Sequence, residues 1–227
     1  MIVAEQKPLE EVRRMIAPYE RVFIIGCGTC MTVCDAGGER EVSFLHNALR
    51  VAQVKGRNGT HTFSEYTLKR QCDPEFLDLL VDKVEDADAI LSLGCGIGVQ
   101  AIAERFPDLP VLPGVNTFFM GMAKEWGIWD ERCAACGDCR LEETAGICPI
   151  TRCTKGLLNG PCAGTKNGKC EANKDMDCAW VLIYKRLERL EQLEKMRRYY
   201  PPRNFRAIAR PKRIMSKASI DVGEGDG

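Results

Sequence analysis

The 227-residue chain contains 13 cysteines but only two histidines. This number is too high for ordinary use in a hydrophobic core, and an odd number fits complete disulfide pairing poorly. The N-terminus carries charges throughout and lacks the apolar segment of a secretory signal. We therefore expect a cytoplasmic protein, and in that reducing compartment clustered cysteines bind metals more often than they form disulfides. The cysteines predict metal centres with thiolate ligands.

The charged residues argue against two classes of partner. Lysine and arginine together number 32, and aspartate and glutamate also number 32. A chain without net charge has no bulk attraction to nucleic acid or to an anionic membrane surface. Its sequence also has no run of the roughly 20 apolar residues that a membrane span requires. We expect neither nucleic-acid binding nor membrane insertion.

Residues 1–125 alternate strand-like and helix-like segments, which predicts an α/β unit with a mostly parallel sheet. Residues 21–26 form an apolar, β-branched run that ends in glycine, as buried strands do. In residues 39–52, apolar side chains recur at intervals of three and four, as on a helix face. The expected architecture is Rossmann-like or flavodoxin-like. The other predicted segments are helices over 9–17 and 99–106, a helix with Asp73 as its N-cap, and strands over 51–55, 88–94 and 109–115.

The composition changes after residue 125. Residues 126–178 hold eight cysteines among glycines and polar residues, so this irregular segment needs metal in order to fold. Residues 179–202 predict a C-terminal helix that ends at two prolines, and we expect its leucine face to pack on the chain's own domain. Residues 203–227 form a basic and then acidic tail. We read this tail as solvated, with docking on an acidic partner surface as the alternative.

The first group of cysteines follows the strand at residues 21–26. Cys27, Cys30 and Cys34 lie on a short glycine-containing loop, where the C-x2-C-x3-C spacing allows three thiols to converge on one centre. The loops at the carboxyl ends of strands in an open α/β sheet meet at one edge, which would bring Cys95 and Cys72 to the same place. Five candidates thus compete for four positions, although single cysteines also occur simply as small buried hydrophobes.

The glycines around Cys95 do not form a dinucleotide-binding loop. The segment G-C-G-I-G lacks the G-x-G-x-x-G spacing, and the chain has no phosphate-binding P-loop. These glycines either allow the backbone to approach a cofactor or serve the geometry of a turn.

The second group of cysteines begins with a C-x2-C-x2-C run, Cys133, Cys136 and Cys139. A Cys-Pro pair follows at Cys148, but later than in bacterial ferredoxins, so the fourth ligand stays open at this point. The tight triplets favour cubane iron-sulfur clusters, while zinc also accepts four thiolates. The remaining cysteines suffice for another four-thiolate centre, of iron-sulfur or zinc: Cys153, Cys162, Cys170 and Cys178.

The sequence offers no arrangement for acid-base catalysis. Neither His46 nor His61 lies near a cysteine motif, and no nucleophile is paired with a base. The residues therefore favour electron transfer over substrate chemistry. Two alternatives are a zinc-stapled structural or docking module of a larger redox complex, and a thiol-redox enzyme, which would need a reactive cysteine pair in an open site.

Several cysteine motifs occur together along residues 21–180. They are G-C-G-T-C-M-T-V-C, S-L-G-C-G-I-G-V-Q, C-A-A-C-G-D-C, G-I-C-P-I-T-R-C and L-L-N-G-P-C-A-G. In this combination the chain resembles the small iron-sulfur subunit of methylenetetrahydrofolate reductase of acetogenic bacteria (MetV type), a family related to the C-terminal domain of that enzyme. The N-G-P-C-A-G motif and the G-C-G-T-C loop are distinctive together. Ala163 stands where the family pattern leads us to expect glycine.

The resemblance implies an electron-transfer subunit with two [4Fe-4S] clusters and a third cluster or zinc. Its expected partner is a TIM-barrel subunit that binds flavin and reduces methylenetetrahydrofolate to methyltetrahydrofolate in the reductive acetyl-CoA pathway. The upstream donor would be ferredoxin or a larger redox complex, and the isolated chain would not reduce folate. The implied ligands are Cys27, Cys30, Cys34 and Cys95 (with Cys72 as competitor) for one cluster, Cys133, Cys136, Cys139 and Cys148 for another, and Cys153, Cys162, Cys170 and Cys178 for the third metal.

Overall fold

The computed structural model describes residues 1–52, 61–208 and 210–214, and it divides the chain into two compact units, Met1–Arg132 and Cys133–Gly227. No α-helix within the described ranges combines the length and the apolar character that a bilayer crossing requires. The strands of the first unit are β1 (Ile2–Gln6), β2 (Arg21–Cys27), β3 (Thr62–Leu68), β4 (Ala89–Ser92), β5 (Val111–Pro113), β6 (Val115–Glu125) and β7 (Ile128–Cys133). Its helices are α1 (Leu9–Ile16), α2 (Cys30–Val33), α3 (Glu39–Val51), α4 (Pro74–Leu77) and α5 (Gly96–Arg105).

A four-stranded sheet with the order β3-β2-β4-β5 forms the centre of the first unit, and every neighbouring pair is parallel. The predicted α/β class is confirmed. After β2, the chain places β3 on one side of β2, and it then places β4 and β5 in turn on the other side. The strand order therefore reverses between β2 and β4. This is the flavodoxin-like order of the doubly wound folds.

Both faces of the parallel sheet are buried, which explains why β2 reads as a continuous apolar run. Successive residues of a strand point to opposite faces, so Val22 and Ile24 pack with α1, α3 and β1. Phe23 and Ile25 pack on the other side with α5 and the segment after β3. Helix α3 begins after Gly38, whose amide donates to the Glu41 carboxylate at 3.0 Å.

A second sheet, with the order β1-β6-β7, is absent from the sequence-based prediction. Strand β1 pairs antiparallel with β6. Strands β6 and β7 are joined by two residues, Trp126 and Gly127, with Gly127 at φ +78°, a connection that only an antiparallel pair permits. These strands are half-exposed and short of β-branched residues, so their composition gave only a weak strand signal.

Two predicted elements were misplaced. The predicted strand at 51–55 is wrong at Val51, which ends α3, and residues 53–55 lie outside the described residues; the strand that pairs with β2 begins at Thr62. The helix after Asp73 is a single α-turn followed by a 3-10 helix, Asp78–Lys83. The Asp73 side chain makes no capping hydrogen bond but pairs with Arg70 at 3.5 Å.

The second unit is largely irregular, as predicted for the cysteine-rich segment. Trp180, Ile183 and Leu187 form its buried core, so the leucine face packs within its own unit. Its regular elements are α6 (Pro149–Arg152), β8 (Thr165–Lys166), β9 (Lys169–Cys170), α7 (Ala179–Arg189) and the 3-10 helices Leu193–Arg197 and Phe205–Ile208.

Helix α7 is shorter than the predicted helix over residues 179–202. Glu191 adopts φ +55°, and the amide of Gln192 donates to the carbonyl of Leu187 at 2.8 Å. This left-handed turn closes the helix two residues after Arg189. Leu190 consequently stays 45% exposed instead of joining the apolar face.

Replacing Glu191 with glycine should stabilise the second unit by about 1 kcal/mol, because glycine adopts a positive φ without steric cost. A matched control is Lys185→Gly, at an exposed position in the interior of helix α7. That change should destabilise by roughly 1 kcal/mol. Urea unfolding of both variants measures the difference, and destabilisation by Glu191→Gly would contradict the left-handed turn.

Candidate metal centres

Three parallel strands deliver cysteines to one edge of the sheet. Cys27 is the last residue of β2, Cys72 follows the end of β3, and Cys95 directly precedes α5 after the end of β4. The amide of Gly28 donates to the carbonyl of Leu68 at 2.7 Å, so the loop after β2 lies against the end of β3. This edge lies where the strand order reverses, the usual ligand position in such folds.

Gln71 joins the ends of the three strands, a role that sequence reasoning missed. It is 1% exposed. Its Nε2 donates to the carbonyl of Ile25 at 3.1 Å, and its Oε1 accepts from Ser92 Oγ at 2.7 Å. The same Ser92 oxygen accepts from the amide of Gly94 at 3.1 Å. Gln71 therefore fixes the residue before Cys72 to the strands that carry Cys27 and Cys95.

The glycines around Cys95 make room for this glutamine. A Cβ on Gly94 would lie 1.9 Å from Gln71 Oε1, and one on Gly98 would lie 2.8 Å from Gln71 Cβ. By contrast, a Cβ on Gly96 would meet only Thr117 Oγ1, at 3.8 Å. Gly94 and Gly98 thus leave room for the Gln71 side chain. The sequence predicted either a cofactor approach or a turn for these glycines, and not this packing role.

Cys27, Cys72 and Cys95 are close enough to interact electrostatically. Partial desolvation raises the pKa of the Cys72 thiol although its side chain reaches solvent, and the thiols of Cys95 and Cys27 raise it further. Cys95 also occupies the N-cap position of α5. Backbone amides at a helix N-terminus favour negative charge, so this position suits a thiolate.

Cys34 has a different environment from the other four thiols at this edge. It is 4% exposed, and its thiol donates to the carbonyl of Met31 at 3.8 Å. Burial raises the pKa of the Cys34 thiol above its ordinary value. The neighbouring Cys30 begins α2 and packs, partly buried, against the same core. In this structure Cys34 behaves as a small core residue.

The thiols, all of which are free, do not converge tightly as they stand. Within residues 1–52, 61–208 and 210–214, no three histidine, cysteine, aspartate or glutamate side chains are arranged to hold a metal ion. The donors nevertheless fit a thiolate-bound metal, since five cysteines approach one sheet edge from three strands. Iron-sulfur clusters and zinc both take such ligands. The fit lies in donor chemistry and backbone placement.

The C-x2-C-x2-C run in the second unit forms a tight loop. Ala135 and Gly137 have φ values of +48° and +75°, and the amide of Ala135 donates to Cys133 Sγ at 3.4 Å. The Cys136 thiol donates to the carbonyl of Asp138 at 3.4 Å. Cys139 follows, while Cys148 stands apart as the N-cap of α6. No hydrogen bond between described residues joins Cys148 to the run.

Contacts around the last four cysteines bring their segments together. Thr154 and Lys155 follow Cys153, and their side chains contact Cys170 Sγ and Cys162 Sγ, each at 3.8 Å. The amide of Cys178 donates to the carbonyl of Gly168, in the turn of the β8-β9 hairpin, at 2.8 Å. Hydrogen bonds from the backbone of Ala172 and Asn173 lower the pKa of Cys170, and the Thr154 hydroxyl adds to this effect. These surroundings favour a thiolate at Cys170.

The N-G-P-C-A-G motif has a structural explanation at three positions. The Asn159 side chain pairs with the backbone of Tyr200, accepting at 2.8 Å and donating at 2.7 Å. A Cβ on Gly160 would lie 2.4 Å from the ring of Trp180. Ala163 adopts φ +58°, which explains why glycine is expected there. The motif therefore fixes the residues just before Cys162 to the core tryptophan and to the segment after α7.

Both histidines have partners away from the cysteine groups. His46 Nδ1 lies 2.6 Å from the Glu65 carboxylate on neighbouring β3. His61 is buried, with Nε2 3.1 Å from the carbonyl of Ile16. Neither faces a nucleophile.

The chain is thus a cysteine-rich α/β protein with thiols at the sheet edge where the strand order reverses, and with a second, irregular cysteine-rich unit. Residues 112–206 match the model of the family described as Methylene-tetrahydrofolate reductase C terminal. The matched segment covers less than half of the chain and contains all eight later cysteines. No curated protein and no solved structure matches the chain. The inferred relationship to methylenetetrahydrofolate reductase is confirmed over this segment.

Replacing Gln71 with leucine should lower the free energy of unfolding by about 1–3 kcal/mol, because the buried Ser92 hydroxyl loses its acceptor. The matched control is Gln100→Leu, since Gln100 is exposed and bonds only the carbonyl of Gly96, at 2.8 Å. That change should cost less than about 0.5 kcal/mol. Equal effects on urea unfolding would show that Gln71 does not organise this edge.

Proposed function

We propose that the chain is the iron-sulfur electron-transfer subunit of a methylenetetrahydrofolate reductase. The observation that carries this proposal is the arrival of thiols from three parallel strands at the point where the strand order reverses. The family match over residues 112–206 supports the reductase context. Such a subunit would work in the cytoplasm and relay electrons to the flavin of a partner subunit that reduces methylenetetrahydrofolate to methyltetrahydrofolate in the reductive acetyl-CoA pathway.

For the first cluster we propose Cys27, Cys30, Cys72 and Cys95 as ligands. Cys72 interacts with Cys27 and Cys95, whereas the thiol of Cys34 is engaged with backbone groups in the core. This assignment replaces Cys34 by Cys72, the competitor in the set that the family resemblance implies. Cys34 is also buried in the core at 4% exposure, whereas Cys72 is exposed at the sheet edge, so Cys72 is the more accessible of the two thiols.

For the second cluster we propose Cys133, Cys136, Cys139 and Cys148. The left-handed turns at Ala135 and Gly137 fold this run so tightly that the amide of Ala135 donates to Cys133 Sγ at 3.4 Å. Hydrogen bonds to sulfur tune the potential of a cluster. The grouping of Cys153, Cys162, Cys170 and Cys178 by local contacts favours a third metal there, a further cluster or zinc.

The chemistry that bound clusters supply is the uptake and release of single electrons. The chain's own residues hold and orient the thiols, with Gln71 and the sheet edge at the first site and Trp180 and Asn159 near the last. Hydride transfer to folate would fall to the flavin-bearing partner, a TIM-barrel subunit, and ferredoxin or a larger redox complex would supply the electrons.

Anaerobically purified protein should contain about eight irons with matching sulfide per chain and absorb near 400 nm, as two cubane clusters do. Cys72→Ser should remove about four irons and half of the bleachable absorbance. Cys34→Ser should retain the full iron content, since this thiol lies in the core. The isolated chain should not reduce methylenetetrahydrofolate.

The opposite pattern, with iron lost in Cys34→Ser and kept in Cys72→Ser, would restore the ligand set that the family resemblance implies. Zinc in place of iron throughout would refute electron transfer and leave a structural or docking module. In that case a chelator should unfold the second unit without any change in visible absorbance.

A further inference from the structure

Near the C-terminus, basic residues follow one another along the chain with no acidic residue among them. Between Glu194 and Asp221 the sequence contains no acidic residue. The nine basic residues in this interval are Lys195, Arg197, Arg198, Arg203, Arg206, Arg210, Lys212, Arg213 and Lys217. In a chain without net charge, this concentration makes one segment strongly electropositive.

Residues 203–208 and 210–214, which together we term the basic segment, lie against the C-x2-C-x2-C run within the second unit. A Cβ on Gly137, between Cys136 and Cys139, would lie 2.5 Å from the carbonyl oxygen of Ala207. The same Cβ would lie 3.3 Å from Lys212 Nζ, which donates to that carbonyl. The basic segment therefore borders the loop to which we assign the second cluster.

The cations of the basic segment have no counter-ions among the residues that the structure describes. Nearby in the second unit, Lys195 pairs with Glu142, and Arg140 pairs with Asp138 at 2.9 Å. No ion pair between described residues involves a cation of the basic segment. Four of its five cations are exposed. These five are Arg203, Arg206, Arg210, Lys212 and Arg213.

Two apolar side chains accompany these charges. Phe205 is 70% exposed and Ile214 is 90% exposed. Apolar side chains among unpaired cations are the composition of a protein-docking surface, in which charges steer the encounter and apolar contacts hold it.

We propose that the basic segment docks an acidic electron-carrier protein beside the second cluster, so that electrons enter the chain there. This inference rests on the proposed function. Cys133, Cys136 and Cys139 would hold the centre, which when bound would accept one electron from the reduced carrier, so that the carrier would be oxidised by one electron and the centre reduced by one. No proton or covalent bond is exchanged.

The test replaces all five cations of the basic segment with glutamine in the full chain. The probe is an acidic bacterial ferredoxin, and its affinity is measured by titration calorimetry at low and high ionic strength. We expect the Kd at low ionic strength to rise roughly tenfold or more, with most of the salt dependence lost. Reduction by photoreduced deazaflavin, a small uncharged reductant, should proceed at the unaltered rate.

The matched control removes the same number of positive charges elsewhere, at five exposed positions. Its Kd for the ferredoxin should change less than about twofold, because screening confines charge effects to the docking region. The control positions are Arg14, Arg50, Lys124, Lys185 and Arg189, each replaced with glutamine.

Equal weakening in both five-site variants would overturn the inference, because bulk charge would then explain the binding. Tighter binding of a short DNA duplex than of the ferredoxin would overturn it as well. Failure of the proposed function looks different, since the unaltered protein would then lack iron and deazaflavin would not bleach it. If the five-site variant of the basic segment contains iron and still binds ferredoxin normally, that result contradicts only the docking proposal.

Discussion

The first unit depends on the reversal of strand order between β2 and β4. In a parallel sheet the carboxyl ends of all strands meet at one edge, and at a reversal the loops diverge and leave space between them. Here that space receives Cys27 and Cys95, with Cys72 from the neighbouring strand. Gln71 occupies the same edge because its buried amide links the three strand ends. The loops that pack this edge of the sheet are thus the same loops that carry the candidate metal ligands.

The second unit differs from the first in the size of its apolar core. Its buried core consists of Trp180, Ile183 and Leu187, which is small for the length of irregular chain around it. Cysteine-rich segments of this kind draw folding free energy from metal binding, since the ligands are brought together only in the folded state. The contacts of Thr154 and Lys155 with two thiols bring Cys170 and Cys162 close to the residues that follow Cys153.

Sequence reasoning predicted the elements whose signals are local and strong. The apolar run of β2, the amphipathic face of α3 and the α/β class follow from periodicity, because both faces of the parallel sheet are buried. The antiparallel sheet went unrecognised because its strands are half-exposed. Helix α7 was extended too far because a left-handed turn at Glu191 leaves no mark in a sequence of good helix formers.

The sequence by itself determined the candidate chemistry, since thirteen cysteines with two histidines in a chain without net charge already favour thiolate-bound metal. Only the tertiary structure separated Cys34 from Cys72, because spacing along the chain cannot tell which thiol is buried in the core. It alone revealed Gln71 and the approach of the basic segment to Gly137. Both arise from contacts between residues distant in sequence, and no local pattern encodes such contacts.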